Sequence, residues 1–177
     1  MDNTFMIAGG LILGSLLGLS WFAGSDAPFV TTAQEKIKEV LVAAGVKKGK
    51  TFYELGSGDG RLVLEAAKLE AESYGVEQSW IRVWYSRMKA KNLKLSNAHF
   101  FHGDLFDRQY FPADIVFIYL LPKAIARLEE KLPQELKRGS IIITQTFHFK
   151  KIKPFKKITN KTKNDKIGGE FYLYRIC

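Results

Sequence analysis

The residues whose types and spacing could do chemistry are concentrated in Thr51-Phe-Tyr-Glu-Leu-Gly-Ser-Gly-Asp-Gly-Arg61. A β-branched and aromatic run ends in the carboxylate of Glu54. Gly56, Ser57, Gly58, Asp59 and Gly60 follow, and helix-forming residues begin at Arg61. This order predicts a strand, a tight turn and a helix start. Glycines at 56, 58 and 60 allow positive φ and close approach, so the turn is expected to set bare backbone N–H groups against a nucleotide-like ligand at the positive end of a helix. A dinucleotide fingerprint, Gly-x-Gly-x-x-Gly, needs its third glycine where Arg61 stands. A second carboxylate, Glu77, closes the next strand-like stretch, Glu72 to Glu77, close to 20 residues after the loop. That is where a ribose-binding acid belongs in doubly wound folds.

The spacing Glu54-x-Gly56-x-Gly58-x-Gly60 resembles the first motif of class I S-adenosylmethionine-dependent methyltransferases. The resemblance implies S-adenosyl-L-methionine as cofactor. Carboxylates at Glu54 and Asp59 and backbone at Gly56 and Gly58 would hold the methionine end, whose ammonium needs acceptors. Asp104, in the Gly103-Asp104 turn, would accept from the adenine amine, and Leu105 would pack on the ring. Tyr119, Leu120, Leu121 and Pro122 would face the transferable methyl, with Tyr119 and Pro122 on the acceptor side. The stretch lacks the Asn/Asp-Pro-Pro-Tyr tetrapeptide with which similar enzymes grip planar amines of adenine or glutamine, which lowers the nucleic-acid base reading. The single cysteine, Cys177, ends the chain, so neither a disulfide framework nor a Cys/His metal cluster is available.

The elements that must position these groups alternate. Ala33–Ala44 reads as an amphipathic lead-in helix that packs on the sheet or covers the cofactor mouth. Arg61–Ala71, Ser79–Leu93 and Ala124–Leu136 read as helices. In Ser79–Leu93, Trp80, Trp84 and Tyr85 are expected to enter the core. Strands are expected at 51–55, 72–77, 98–104, 114–122 and 140–147, with a final pair at 154–159 and 170–176. The alternation predicts an α/β fold, a Rossmann-like, doubly wound and mostly parallel sheet with helices on both faces.

Ahead of this domain, Phe5 to Ala23 is uncharged and mostly apolar. It reaches the lower end of the ~17–25 residues of a bilayer-spanning helix and is read as one transmembrane anchor, a cleaved signal peptide being the rival. Residues 1–27 are thus anchor and linker, and 28–177 the catalytic domain. Lysines at 36, 38, 47, 48 and 50 follow the run, while only Asp2 precedes it, which predicts a domain facing the cytoplasm, or the matrix in a mitochondrion.

Charge is uneven. The chain has 27 basic and 18 acidic residues, a formal charge of +9. Lys150 to Lys166 holds eight lysines and one aspartate, a segment suited to anionic lipid headgroups or, alternatively, to nucleic-acid phosphates. The anchor, Pro28-Phe29-Val30, Glu54–Arg61, Gly75-Val-Glu77, Gly103-Asp104-Leu105 and Tyr119-Leu-Leu-Pro122 together resemble the small membrane-anchored lysine methyltransferases. These are related to the mitochondrial enzymes that modify the ATP synthase c subunit and the adenine nucleotide translocase. Thr31, where that pattern has proline, departs from it. The resemblance implies methyl transfer to a lysine amine of a membrane-associated protein; an RNA or other nucleic-acid methyltransferase using the basic segment is the alternative.

Overall fold

The computed structural model describes residues 34–159 and 169–177. The Phe5–Ala23 run and residues 160–166 of the basic segment lie outside the described residues. Among the described residues no helix is long and apolar enough to cross a membrane.

Five strands, β1 (Thr51–Leu55), β2 (Glu72–Glu77), β3 (Ala98–His102), β4 (Ile115–Ile118) and β5 (Ile141–Gln145), pair in parallel. Two more, β6 (Lys156–Ile158) and β7 (Phe171–Arg175), complete one sheet in the order β3-β2-β1-β4-β5-β7-β6. β7 runs antiparallel to β5 and to β6. The order reverses direction between β1 and β4, and a doubly wound sheet opens its ligand crevice at such a switch, beyond the carboxyl ends of the strands. All four residues of β4 are buried, as a strand covered on both faces requires.

Helices α1 (Gln34–Ala43), α2 (Arg61–Lys68) and α3 (Trp80–Asn92) share one face of the sheet. Ile37, Val40 and Leu41 of α1, Leu62, Val63 and Ala66 of α2, and Val83 and Ala90 of α3 form one apolar cluster with Phe52, Phe117, Ile143 and Phe171. Helix α4 (Pro122–Glu135) covers the other face through Ile125, Leu128 and Leu132, packed with Leu55, Val116, Ile118, Ile142 and Tyr174. Crossovers β1-α2-β2 and β2-α3-β3 advance in one direction and β4-α4-β5 in the other, so right-handed connections place α4 opposite α2 and α3. Helix α1 ends at a glycine. Gly45 takes φ 84° and Val46 N–H reaches back to the Leu41 carbonyl at 3.0 Å, a Schellman closure that turns the chain back into β1.

Two expectations change. Helix α4 begins at Pro122, where a fixed φ and no N–H suit the first helical position, and 119–121 form a loop instead of continuing β4. In α3 the aromatics point outward: Trp80, Trp84 and Tyr85 are 56%, 58% and 40% exposed, while Arg82, Val83, Ser86 and Ala90 are buried. The reason is close packing against the glycine loop. A Cβ on Gly60 would lie 2.8 Å from Ser86 Oγ and 2.6 Å from the Phe100 ring, so only a small-residue face fits there.

Candidate functional site

Glu54, Glu77, Asp104 and Tyr119 leave four adjacent strands at one edge of the sheet, and the loops carrying them touch. Gly56 and Ser57 donate their N–H groups to the Val76 carbonyl at 2.9 and 3.0 Å. Gly58 N–H donates to Glu77 Oε2 at 2.8 Å, and Gly103 N–H to the Glu77 carbonyl at 3.1 Å. A Cβ on Gly56 would come within 2.9 Å of Leu120 Cδ2, so the turn after β1 also meets the loop after β4. All three glycines have positive φ, at 81°, 52° and 75°.

The amides correct one expectation. Those of Gly56, Ser57 and Gly58 are bound to β2 and its terminal acid, and Gly60 N–H donates to the Ser57 carbonyl at 2.8 Å. None of the four is left over for a ligand phosphate, because the end of β2 and Glu77 take three of them and the Ser57 carbonyl takes the fourth. The loop is therefore a rigid floor, suited to a cofactor without phosphate, and the dinucleotide reading fails on geometry as well as spacing.

Glu54 is 5% exposed. Its carboxylate accepts the Val63 backbone N–H in the first turn of α2, while Oε2 has no partner among the described residues. Burial, and then the negative charge of Asp59, push the Glu54 carboxyl well above its ordinary range. A buried acceptor without a donor suits an ammonium group. The Ser57 hydroxyl is likewise buried and without a hydrogen-bond partner among the described residues.

Asp59 behaves differently. Its Oδ1 receives Arg61 Nε at 3.0 Å and its Oδ2 receives Nη2 at 2.9 Å, with Lys89 Nζ of α3 at 3.6 Å. Burial opposes its charge, but the Arg61 guanidinium and then Lys89 outweigh it and hold Asp59 below the usual carboxylate range. Asp59 is thus the tie between loop and α3, and Glu54 is the open acceptor.

Glu77 is buried, and its Oε1 also accepts Ser79 N–H at 3.0 Å, closing the start of α3. Arg82 of α3 is buried as well, with Nη1 3.8 Å from Glu77 Oε1. Asp104 Oδ1 caps a short 3-10 turn, Leu105–Asp107, by accepting Phe106 N–H at 2.8 Å. The Leu105 side chain is buried in the apolar cluster on the α4 face, and its carbonyl accepts the Tyr110 hydroxyl at 2.6 Å. Tyr119 is half-buried against the opposite cluster. Pro122 is exposed at the first position of α4.

Thr146, just past β5, takes φ 67°. A β-branched residue there is an outlier, held by Thr146 N–H donating to the Glu170 carbonyl at 2.8 Å. Nothing in the residue types around it signals this strain. It fixes Phe147, 36% exposed, at the carboxyl edge of the sheet. On the far side Glu129 of α4 accepts three backbone N–H groups, of Lys150, Lys151 and Ile152, and so anchors the start of the basic segment.

Comparison with known proteins agrees with this geometry. The ANTKMT methyltransferase domain matches residues 54–156. The chain is 32% identical over 128 residues to the ATP synthase c-subunit lysine N-methyltransferase of Mus musculus, covering 72% of this chain and 51% of that protein. It is 28% identical to a protein-lysine N-methyltransferase of Saccharolobus islandicus, covering 84% of this chain and 93% of that one. The crystal structure of an RNA methyltransferase from Salinibacter ruber with S-adenosyl-L-homocysteine superposes with a TM-score of 0.75 at 30% identity. That match covers 83% of this chain and 94% of that one. The chain spans about half the length of the mammalian relatives.

Proposed function

The chain belongs to the ANTKMT methyltransferase domain family, and from that membership we propose that it is an S-adenosyl-L-methionine-dependent methyltransferase whose acceptor is a protein lysine amine. The observation that carries the cofactor reading is the buried Oε2 of Glu54, without a partner among the described residues, beside a loop whose amides face inward. It is supported by the Salinibacter neighbour, described with the demethylated product of that cofactor. When bound, the cofactor supplies an electrophilic methyl group on a sulfonium. Glu54 would hold its ammonium, Gly56 and Gly58 would shape the floor, Glu77 would add ribose hydroxyls to the donors it already accepts, and Asp104 would accept from the adenine amine.

Lysine is the favoured acceptor because the relatives matched over most of this chain, in mouse and in Saccharolobus, are both named for lysine N-methylation. A lysine amine attacks only when neutral. An apolar rim at Tyr119, Leu120 and Phe147 disfavours its charged form and lowers its pKa. The remaining contribution is alignment of amine, methyl and sulfur at about 3 Å approach. The uncharged, apolar Phe5–Ala23 run supports a single-pass membrane protein facing the cytoplasm or matrix, and the lysines of 150–166 support contact with anionic headgroups.

A second reading, transfer to RNA, is favoured by the Salinibacter neighbour, named as an RNA methyltransferase. Incubating the full chain with labelled cofactor and a membrane fraction distinguishes them. Protease-sensitive label supports the lysine reading, nuclease-sensitive label replaces it, and no calorimetric binding of S-adenosyl-L-homocysteine removes the enzyme reading altogether.

A further inference from the structure

Helix α3 carries its aromatics on the wrong face for a core. Trp80, Trp84 and Met88 recur every fourth residue and form one stripe; Met88 is 43% exposed, and Tyr85 lies beside them. Isolated exposed apolar residues are ordinary, but four large side chains on one helix face mark a surface that meets something. The inward face of the same helix is filled with Arg82, Val83, Ser86 and Ala90, so rotation about the helix axis would not bury the stripe without exposing that set.

Chemistry limits what the stripe meets. From Gln78 to Gly103 the chain contains no acidic residue and five basic ones, Arg82, Arg87, Lys89, Lys91 and Lys94. Arg87 donates to the Phe100 carbonyl and Lys89 to the Asp59 carbonyl, so both are held by the fold. Lys91 follows Trp84 by seven residues and Met88 by three, which puts it in the stripe, and it is exposed with Lys94 just beyond. Indole and phenol rings have an apolar body and a polar tip, and lysine stems lie along apolar surface with the ammonium in water. That combination suits the headgroup layer of a bilayer with negative charge.

Location agrees. Helix α3 leaves the carboxyl edge of β2, so Trp80 lies at the edge where the candidate site opens. Helix α1 turns back into β1, so its first residue, Gln34, lies at that edge too. The apolar run ends at Ala23, and ten residues span at most about 35 Å, so lipid reached by Phe5–Ala23 lies within that distance of Gln34 and so on the side of the sheet edge from which α3 starts.

We propose that the Trp80–Trp84–Met88 face of α3, with Tyr85 and Lys91, is a bilayer-docking surface that sets its rings into the headgroup region of an anionic leaflet and turns the carboxyl edge of the sheet toward it. It stands apart from the identity of the methyl acceptor. The chain has three tryptophans, so full-length Trp21→Phe leaves Trp80 and Trp84 as the emitters. In phosphatidylcholine/phosphatidylserine vesicles with brominated acyl chains, their emission should shift to the blue and fall roughly twofold or more, since rings at the headgroup–acyl boundary meet the quencher. Phosphatidylcholine alone should give a smaller effect, and Lys91→Gln with Lys94→Gln should reduce the difference between the two lipids. Unquenched, red-shifted emission from vesicle-bound protein overturns the proposal, as does protein that does not bind vesicles. Quenching by a single-stranded oligonucleotide without lipid overturns it in favour of base stacking. A nitroxide on Met88→Cys, in a Cys177→Ser background with all tryptophans kept, gives an independent reading. Preferential collision with oxygen over an aqueous relaxant is expected, and the reverse preference refutes the bilayer contact.

Discussion

At the residue scale, Glu54 and Asp59 look alike in the sequence and separate in the fold. Asp59 is spent on Arg61 and Lys89, whereas Glu54 keeps a buried oxygen without a donor among the described residues. Replacing Glu54 by Gln should therefore weaken S-adenosyl-L-homocysteine binding by about ten- to a hundredfold in calorimetry, the range of a hydrogen bond to a charged group. Asp59→Asn, which loosens the loop without removing the acceptor, should cost less; the reverse ranking would move the ammonium to Asp59. The pH dependence has a definite sign. Glu54 has a folded pKa raised well above its ordinary value, so between the two values the folded state binds the extra proton and stability falls as pH rises. Glu54→Gln should flatten that fall in thermal melts of the ligand-free protein. Wild-type affinity should rise over the same window, because the ammonium favours the ionised acid. An unchanged pH profile in the variant would show that Glu54 titrates normally.

At the element scale, much was legible because period and turn chemistry agree. The glycine turn, the acid ending β2, the buried β4 and the Schellman end of α1 all follow from local residue types. What was not legible depends on neighbours far along the chain. The orientation of α3 is set by the space between Gly60, Ser86 and Phe100, which periodicity cannot register, so its tryptophans read as core and are surface. Likewise the loop amides looked available because their acceptors, Val76 and Glu77, belong to the next strand. Gly60→Ala tests the packing argument. It combines a left-handed φ of 75° with contacts to Phe100 and Ser86, and should destabilise by about 2–4 kcal/mol in denaturant unfolding. A loss under about 1 kcal/mol, the cost of the backbone alone, would mean the helix shifts freely. Thr146→Gly should act oppositely. Relieving the left-handed threonine should stabilise by about 1 kcal/mol, while turnover falls more than cofactor affinity because Phe147 is released. A variant no more stable than wild type would show that Thr146 is unstrained.

At the scale of the molecule, the site exists only where four strand ends converge, the loop after β1, Glu77 after β2, Asp104 after β3 and Tyr119 after β4. A ligand touching all four should stiffen the whole sheet edge and raise global stability through mass action. At a hundredfold excess over its dissociation constant, S-adenosyl-L-homocysteine contributes about 2.7 kcal/mol. For a chain of this size that corresponds to about 5–11 °C in Tm, at roughly 2–4 °C per kcal/mol. A dinucleotide such as NAD at the same concentration should give no comparable shift, since the amides that would hold its pyrophosphate already bind Val76 and Glu77. The comparison separates this fold from its dinucleotide-binding cousins by geometry alone. A shift with NAD and none with S-adenosyl-L-homocysteine would show that the loop opens and frees its amides in solution, and the assignment of Glu54 as the ammonium acceptor would fall with it.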